Sequence, residues 1–535
     1  MAIHDAINQY ARQFARRVTV SQEALLVAAN VFVVVLLVVL WQRHVLPIED
    51  IATFVFLAAL VALFALARPL WTWWFFVGAL PLEAINLAPA EVGLAVRPYQ
   101  LIGVALVLAL SVRALSGRLP RRVFRWRWQD TAVVVLVAGG VLAALTAQDV
   151  RAALVQAAIV ASFGVWFFLA RYFVRGPVTA RMPLVFFLSS SAVVVGYGLW
   201  QSFVIAHGGV AGSVMAARPN ATFSEPDWLG VFLVGVIALI YGVHAVNRRT
   251  RRRITDMPWT YGALGVLLLG AYTLLIVSVV RSAWLGAACV VAVYLGQYVL
   301  QRDYRGMWNG VAVTVSALVV ALICAVSIPL TTFDLAGRAQ STASGLQEIT
   351  VACDTPAHAR ALEARGRIEH MADLADFTCR HINLEDVDAV RARGETVTHV
   401  LRPDPSHGVR RAVYARIFAL LRAQWSRALV GTGWHQADLG VDAQGAHLNT
   451  SNIFLEVWLG SGLAGVVAFV ALVSSVAWRG IRALTAPRVS RRVWEYGVFA
   501  VLGMVAIVVP NMFNAGILLG FVWVFLGMMA TLRKA

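Results

Sequence analysis

The run ALLVAANVFVVVLLVVLW, Ala24 to Trp41, decides the class of this chain. It carries no charged side chain, and at about 1.5 Å of helical rise per residue it covers nearly the whole of a hydrocarbon core about 30 Å thick. Arg12, Arg16 and Arg17 stand before it and no small-residue cleavage site stands behind it. It therefore reads as a retained first helix, not a signal peptide. Outward from it, the same pattern repeats at 51 to 67, 69 to 82, 99 to 115, 131 to 147, 152 to 173, 183 to 205, 228 to 246, 261 to 280, 283 to 300, 311 to 329, 453 to 478, 493 to 510 and 513 to 531. Of the 535 residues, 60% are hydrophobic and 14% charged, and the mean hydropathy is +0.73. A water-soluble core cannot absorb that share of apolar sequence. The expected fold is an all-α polytopic bundle of about fourteen transmembrane helices.

The net charge of +17 is almost entirely arginine, with Lys534 the one lysine, and its placement excludes a nucleic-acid partner. Arginine clusters fill alternate connections: Arg118 to Arg127, Arg171 to Arg181, Arg248 to Arg253, Arg302 and Arg305, and Arg479 to Arg492. The connections between them hold about one each, among them Arg43, Arg97, Arg151, Arg218 and Arg281. That alternation is the positive-inside pattern. It predicts a multi-pass protein of the cytoplasmic (inner) membrane with both termini cytoplasmic. The chain divides into an N-terminal bundle (1 to 329), an extracytoplasmic loop domain (330 to 450) and C-terminal membrane helices (451 to 535).

The loop is where polar chemistry concentrates, with seven of the eleven histidines and nearly balanced acids and bases. Helical spacing runs from Thr355 to Phe377 and from Leu384 to Arg393, so the loop is expected to be helical. From Val409 to Leu429, Val413, Ile417, Leu420, Leu421 and Trp425 share one face, which predicts an amphipathic helix at the membrane surface. Cys353 and Cys379 lie in what the topology makes an oxidising compartment, so a disulfide is open to them. Cys289 and Cys324, inside apolar runs, read as small core residues. Nucleotide and metal signatures (a P-loop, GxGxxG, HExxH or CxxC) are absent from the sequence, and no metal or cofactor is expected.

Three polar clusters at the expected outer ends of the spans remain. The first is RPNATFSEPDWLGVF, Arg218 to Phe232, in which Arg218 is either a snorkelling interfacial arginine or part of an anion site, with Glu225 and Asp227 beside it. The second is Arg281-Ser282 in LLIVSVVRSAWLG, where an arginine drawn toward mid-bilayer would cost about 2.5 to 3.5 kcal/mol and so needs a carbonyl, a partner or a wet cavity. The third closes the loop: HGVRRAVYARIFALLRAQWSRALVGTGWHQ, His407 to Gln436, then AHLNTSNIFLEVWLGSGLAG, Ala446 to Gly465.

Gly431-Thr432-Gly433 after an amphipathic helix, and an Asn-Ile-Phe-Leu-Glu run entering a span with Gly460, Gly462 and Gly465, resemble the C-terminal signature of the O-antigen ligase and O-antigen polymerase family. The Arg218 segment and the Arg281-Ser282 turn fit the same family, and the resemblance covers roughly residues 200 to 530. It implies a glycosyltransferase of the membrane C-type architecture, taking a glycan from a polyprenyl diphosphate carrier to an acceptor hydroxyl on a glycan or glycolipid. Carried over, the functional residues are Arg218, Arg410 or Arg411, and His447. The family often has His directly before the Asn that opens the Leu-Glu run. Here Ser451 precedes Asn452 and His447 lies further upstream, so the base is His447, His435 or another group. Glu225 and Glu456 are reserve bases or sugar binders, with Asn452 beside them, and Trp228, Trp434 and Trp458 either anchor the interface or stack on sugars. A transporter or flippase of lipid-linked glycans, and a scaffolding protein that binds through its loop, are the rival readings. Against the transporter stand the absence of an inverted repeat and the size of the loop.

Overall fold

Where no water reaches the backbone, each amide must find its partner within its own segment, and apolar runs of this length close up as helices. The computed structural model describes all residues except 1, 119–124, 215–217, 251–258, 332–334, 336–343, 383–386, 404, 441–448, 487–489 and 532–535. Eleven helices precede the loop: α1 (Ala2–Gln42), α2 (Ile51–Ala67), α3 (Pro69–Ala79), α4 (Pro98–Leu115), α5 (Trp128–Leu145), α6 (Val150–Phe173), α7 (Pro177–Ala206), α8 (Pro226–Thr250), α9 (Trp259–Val277), α10 (Arg281–Leu300) and α11 (Tyr304–Ser327). The loop contributes α12 (Pro356–Arg365), α13 (Val387–Ala392), α14 (Pro405–Ala423) and α15 (Trp425–Val430). Behind it come α16 (Ile453–Thr485), α17 (Arg491–Asn511) and α18 (Gly520–Ala530).

Ten of these helices are long and apolar enough to cross a membrane. Two expected spans are cut short. α3 and α18 hold 11 residues each, a rise of about 16 Å and half of a hydrocarbon core. Pro81, which has no amide hydrogen to donate back along a helix, follows the end of α3 at Ala79. The run expected at 513 to 531 opens instead on the non-helical residues 513 to 515 and a short 3-10 turn, Gly516–Leu518, before α18 begins.

Buried polar side chains stitch the bundle together, as apolar packing alone gives little preference for helix over lipid. Asn30 of α1 donates to Ser190 and to the Phe186 carbonyl of α7. The Tyr241 hydroxyl of α8 lies 2.9 Å from both Tyr272 of α9 and Thr314 of α11. Arg171 of α6 forms a buried ion pair with Asp130 of α5.

The loop is not wholly helical, which corrects the all-α expectation. β1 (Leu346–Cys353), β2 (Cys379–His381) and β3 (Thr396–Pro403) form an antiparallel sheet in the order β2-β1-β3. Cys353 sits opposite Cys379 across the first pair and Thr396 across the second, and Cys353 and Cys379 are joined by a disulfide. Ile349, Val351, Leu362, Ile368, Leu374 and Val400 give the sheet and α12 a core of their own. The helical spacing read from Thr355 to Phe377 is interrupted after Arg365, where Gly366 turns left-handed at φ 66° and caps α12, and resumes as a 3-10 helix over Met371–Phe377. β3 is Thr- and Val-rich, the composition that favours a pleated strand.

Candidate functional site

The segment 512 to 514, between α17 and the turn before α18, is the point at which the separate polar clusters meet. Met512 continues past the helix end at Asn511, and its carbonyl accepts from the Asn452 side chain at 3.0 Å. Asn452 is also the N-cap of α16: its side-chain oxygen accepts from the amides of Phe454 and Leu455 at 2.9 and 3.2 Å, satisfying donors that a helix leaves open at its start. The next residue, Phe513, lies beneath the Arg410 guanidinium of α14, 5.4 Å from ring centre to carbon. Asn514 then donates to the Ser282 hydroxyl in the first turn of α10 at 3.1 Å. Three consecutive residues thus tie together α16, α14 and α10.

The contacts run on to Arg218. Its guanidinium donates to the Ser278 carbonyl in the α9 to α10 turn at 3.0 Å and pairs with Asp227 at 2.8 Å. Arg281, the first residue of α10, is half-buried three positions beyond Ser278. The backbone around Arg218 is fixed from below. Gln201 of α7 accepts from the amides of Asn220 and Ala221 at 3.0 and 2.8 Å, and Thr222 exchanges bonds with Pro81 and Ala84 in the α3 to α4 connection. Glu225 stands exposed beside this turn; desolvation and the neighbouring Asp227 hold its carboxyl above the usual range, against the pull of Arg218.

On the other side of Asn452, Glu456 is buried and accepts from the Thr450 hydroxyl at 2.8 Å, and His435 Nε2 lies 4.0 Å from its second oxygen. His435 is held by the Gly431-Thr432-Gly433 turn, which grips α16 where that helix breaks. The amides of Thr432 and Gly433 both donate to the Leu459 carbonyl, at 2.7 and 3.2 Å. Gly431 and Gly462 face each other there at φ 95° and 69°. A Cβ on Gly462 would come within 2.3 Å of the Leu429 carbonyl oxygen, so the close passage of the two segments requires glycine. Trp434, fully buried, fills the space beside Gly460, and Trp458 donates to the Ala428 carbonyl at 2.8 Å.

Arg218, Arg410, Asn452, Glu456 and His435 are thus linked through the α9 to α10 turn, residues 512 to 514 and the start of α16, and Arg281 stands in that turn beside Ser282. Arg411, next along α14, is exposed, and Arg410 is the member of the pair that reaches Phe513. His447 lies outside the described residues. The apolar face of α14 is as expected at Val413, Ile417 and Leu421, which pack on Leu439 and Leu459. Trp425 departs from it, standing 82% exposed, because α14 ends at Ala423 and a new helix begins at Trp425 in a different direction.

Sequence reasoning missed two parts of the site. The 513 to 516 part of the turn after α17 falls inside the apolar run read as 513 to 531, although PNMFNAG carries Pro, Asn and Gly in the composition of a turn. The second is Glu83, buried in the α3 to α4 connection against Arg97, Nε to Oε1 3.0 Å. Burial pushes its carboxyl up to about 7, with the Arg97 guanidinium pulling the other way. An acid at the end of an apolar run is the signal that could have found it.

Beside the Gly431 turn a polar cavity of about 390 Å³ opens between α14, α15 and the C-terminal end of α5, with Arg416, Arg427, Gln424, Gln148, Thr432 and Gln436 among its walls. Among the described residues no group of three or more His, Cys, Asp or Glu side chains could hold a metal ion. Comparison of the chain with family models, with curated proteins and with solved structures finds no match.

Proposed function

We propose that this chain is a membrane glycosyltransferase of the glycan ligase or polymerase type, moving a glycan from a polyprenyl diphosphate carrier to an acceptor hydroxyl at the outer face of the cytoplasmic membrane. In this reading all fourteen apolar helices belong to the membrane domain, both termini are cytoplasmic and the 330 to 450 domain is extracytoplasmic. The observation that carries it is the convergence of Asn452, Arg410 and Ser282 on residues 512 to 514, with Arg218 bound to the Ser278 carbonyl in the turn that leads to Arg281 and Ser282, and the Glu456 and His435 pair on the helix that Asn452 caps.

The chemistry follows from those groups. The acceptor oxygen bonds to the anomeric carbon while the bond from that carbon to the diphosphate oxygen breaks, and the electron pair leaves with the diphosphate. Guanidinium groups hold the oxygens on which this charge develops, each charge-assisted bond contributing about 1.5 to 3 kcal/mol. His435, oriented by Glu456, takes the hydroxyl proton, a role that typically adds a factor of about 100 to 10,000. His447, in the segment before Thr450, is the second candidate for that proton, and Arg411 a second cation on α14. The polar cavity at Gln148 and Gln436 suits the hydroxyl-rich surface of the acceptor glycan. Reconstituted protein with a lipid-linked glycan donor should transfer the glycan. Arg218→Ala, Arg410→Ala and Glu456→Gln should each cut transfer by about 100-fold or more with insertion intact. Movement of the donor across the bilayer with no transfer would make it a flippase instead.

A further inference from the structure

A second feature stands apart from the polar site. Between α7 and α17 runs a groove of about 360 Å³, floored by α8 and α18 and lined almost wholly by aliphatic, aromatic and thioether side chains. On α17 its lining extends from Arg491 to Ile507, a rise of about 24 Å. On the floor, Gly235 of α8 leaves the groove open, since a Cβ there would find its nearest neighbour, the Phe521 ring, only at 4.0 Å. The polar members of the lining are Arg181, Arg491, Glu495 and Tyr496, and all of them lie at the one end where α7 and α17 begin. Tyr496 is committed to the Met528 carbonyl and to Thr531. Arg491 is held in place by Glu495, Nε to Oε1 2.7 Å. With two guanidinium groups against one carboxylate, this end carries a surplus positive charge.

A long apolar slot with a cationic mouth matches one class of ligand, an amphiphile with a hydrocarbon tail and an anionic head. Those same arginines belong to the clusters that the charge alternation places on the cytoplasmic side, where anionic lipid headgroups lie. We propose that this groove binds an acyl chain of an anionic phospholipid, with the phosphate at Arg181 and Arg491 and the chain along Leu184, Gly235, Leu239 and Phe525. The site is independent of the transferase reading, since it uses none of the residues gathered around 512 to 514.

The test is photo-crosslinking of the full chain in nanodiscs, with diazirine-tailed phosphatidylglycerol compared with the matching phosphatidylethanolamine probe. Labelling should fall on Leu239 and Phe525 and favour the anionic probe by about fivefold or more, the factor expected from one arginine near a charged headgroup. Arg181→Glu, at an exposed position, should remove that preference. Gly235→Leu, which fills the groove, should remove the labelling itself. Equal labelling by the two probes, labelling indifferent to Arg181→Glu, or displacement of the probe by polyprenyl phosphate but not by phosphatidylglycerol would each overturn the proposal.

Discussion

Asn452 shows how one side chain can serve fold and site together. Its oxygen caps α16 and its nitrogen holds the Met512 carbonyl, so the two roles can be separated by substitution. Asn452→Ala loses both and should destabilise the protein by about 1 kcal/mol, the usual cost of a lost cap. Asn452→Asp keeps the cap and loses the donor. Thermal unfolding in detergent should therefore fall for alanine and hold for aspartate, with glycan transfer reduced in both. Equal unfolding temperatures for the two variants would refute this division. Glu83 offers a pH test at the same scale. Its carboxyl is raised to about 7 from an ordinary 4.5, so between those values the folded protein keeps a proton that the unfolded chain has released. Stability should fall as pH climbs through that window, by something on the order of 3 kcal/mol, and level off above it. Glu83→Gln should flatten the curve, and a wild-type profile already flat between pH 4.5 and 7 would contradict the assignment. The candidate residues Arg218, Arg281, Arg410, Asn452 and Glu456 could be read from the sequence because rare polar groups in apolar surroundings stand out. Asn514 and Ser278 could not, because one is a small amide inside an apparent span and the other acts through its carbonyl.

Among the elements, helices were the legible part. Every apolar run predicted from hydropathy falls on a helix, since lipid-length apolar sequence has no other way to satisfy its backbone. Helix ends were less legible: the chain leaves α-helix before Pro81 and at 513 to 519, which shortens α3 and α18 to 11 residues each, and neither place interrupts the apolar runs 69 to 82 and 513 to 531. The three-stranded sheet escaped notice because β1 pairs with segments about 30 and 50 residues away in sequence, and such non-local pairing leaves little local trace. The disulfide that closes the first of these pairs spans 26 residues. Replacing Cys353 and Cys379 by serine should destabilise the sheet by about 2 to 4 kcal/mol, seen as faster limited proteolysis within residues 344 to 403 and unchanged cleavage elsewhere. Wild-type proteolysis of the double variant would show that the small core of Ile349, Val351 and Val400 holds the unit alone.

For the whole molecule, the arrangement separates two kinds of surface. A polar cluster draws α10, α14 and α16 onto the break between α17 and α18, while a separate apolar groove runs between α7 and α17 toward the arginine-rich end. The account rests on the first of these holding a diphosphate, and its most direct measurement is the affinity of the purified full chain for polyprenyl diphosphate. Arg218→Gln and Arg410→Gln should each weaken binding by about 10-fold to 150-fold, the loss of one charge-assisted bond of 1.5 to 3 kcal/mol, with Arg305→Gln, at the opposite end of the bundle, leaving it unchanged. Affinity equal to wild type in both site variants would contradict the account.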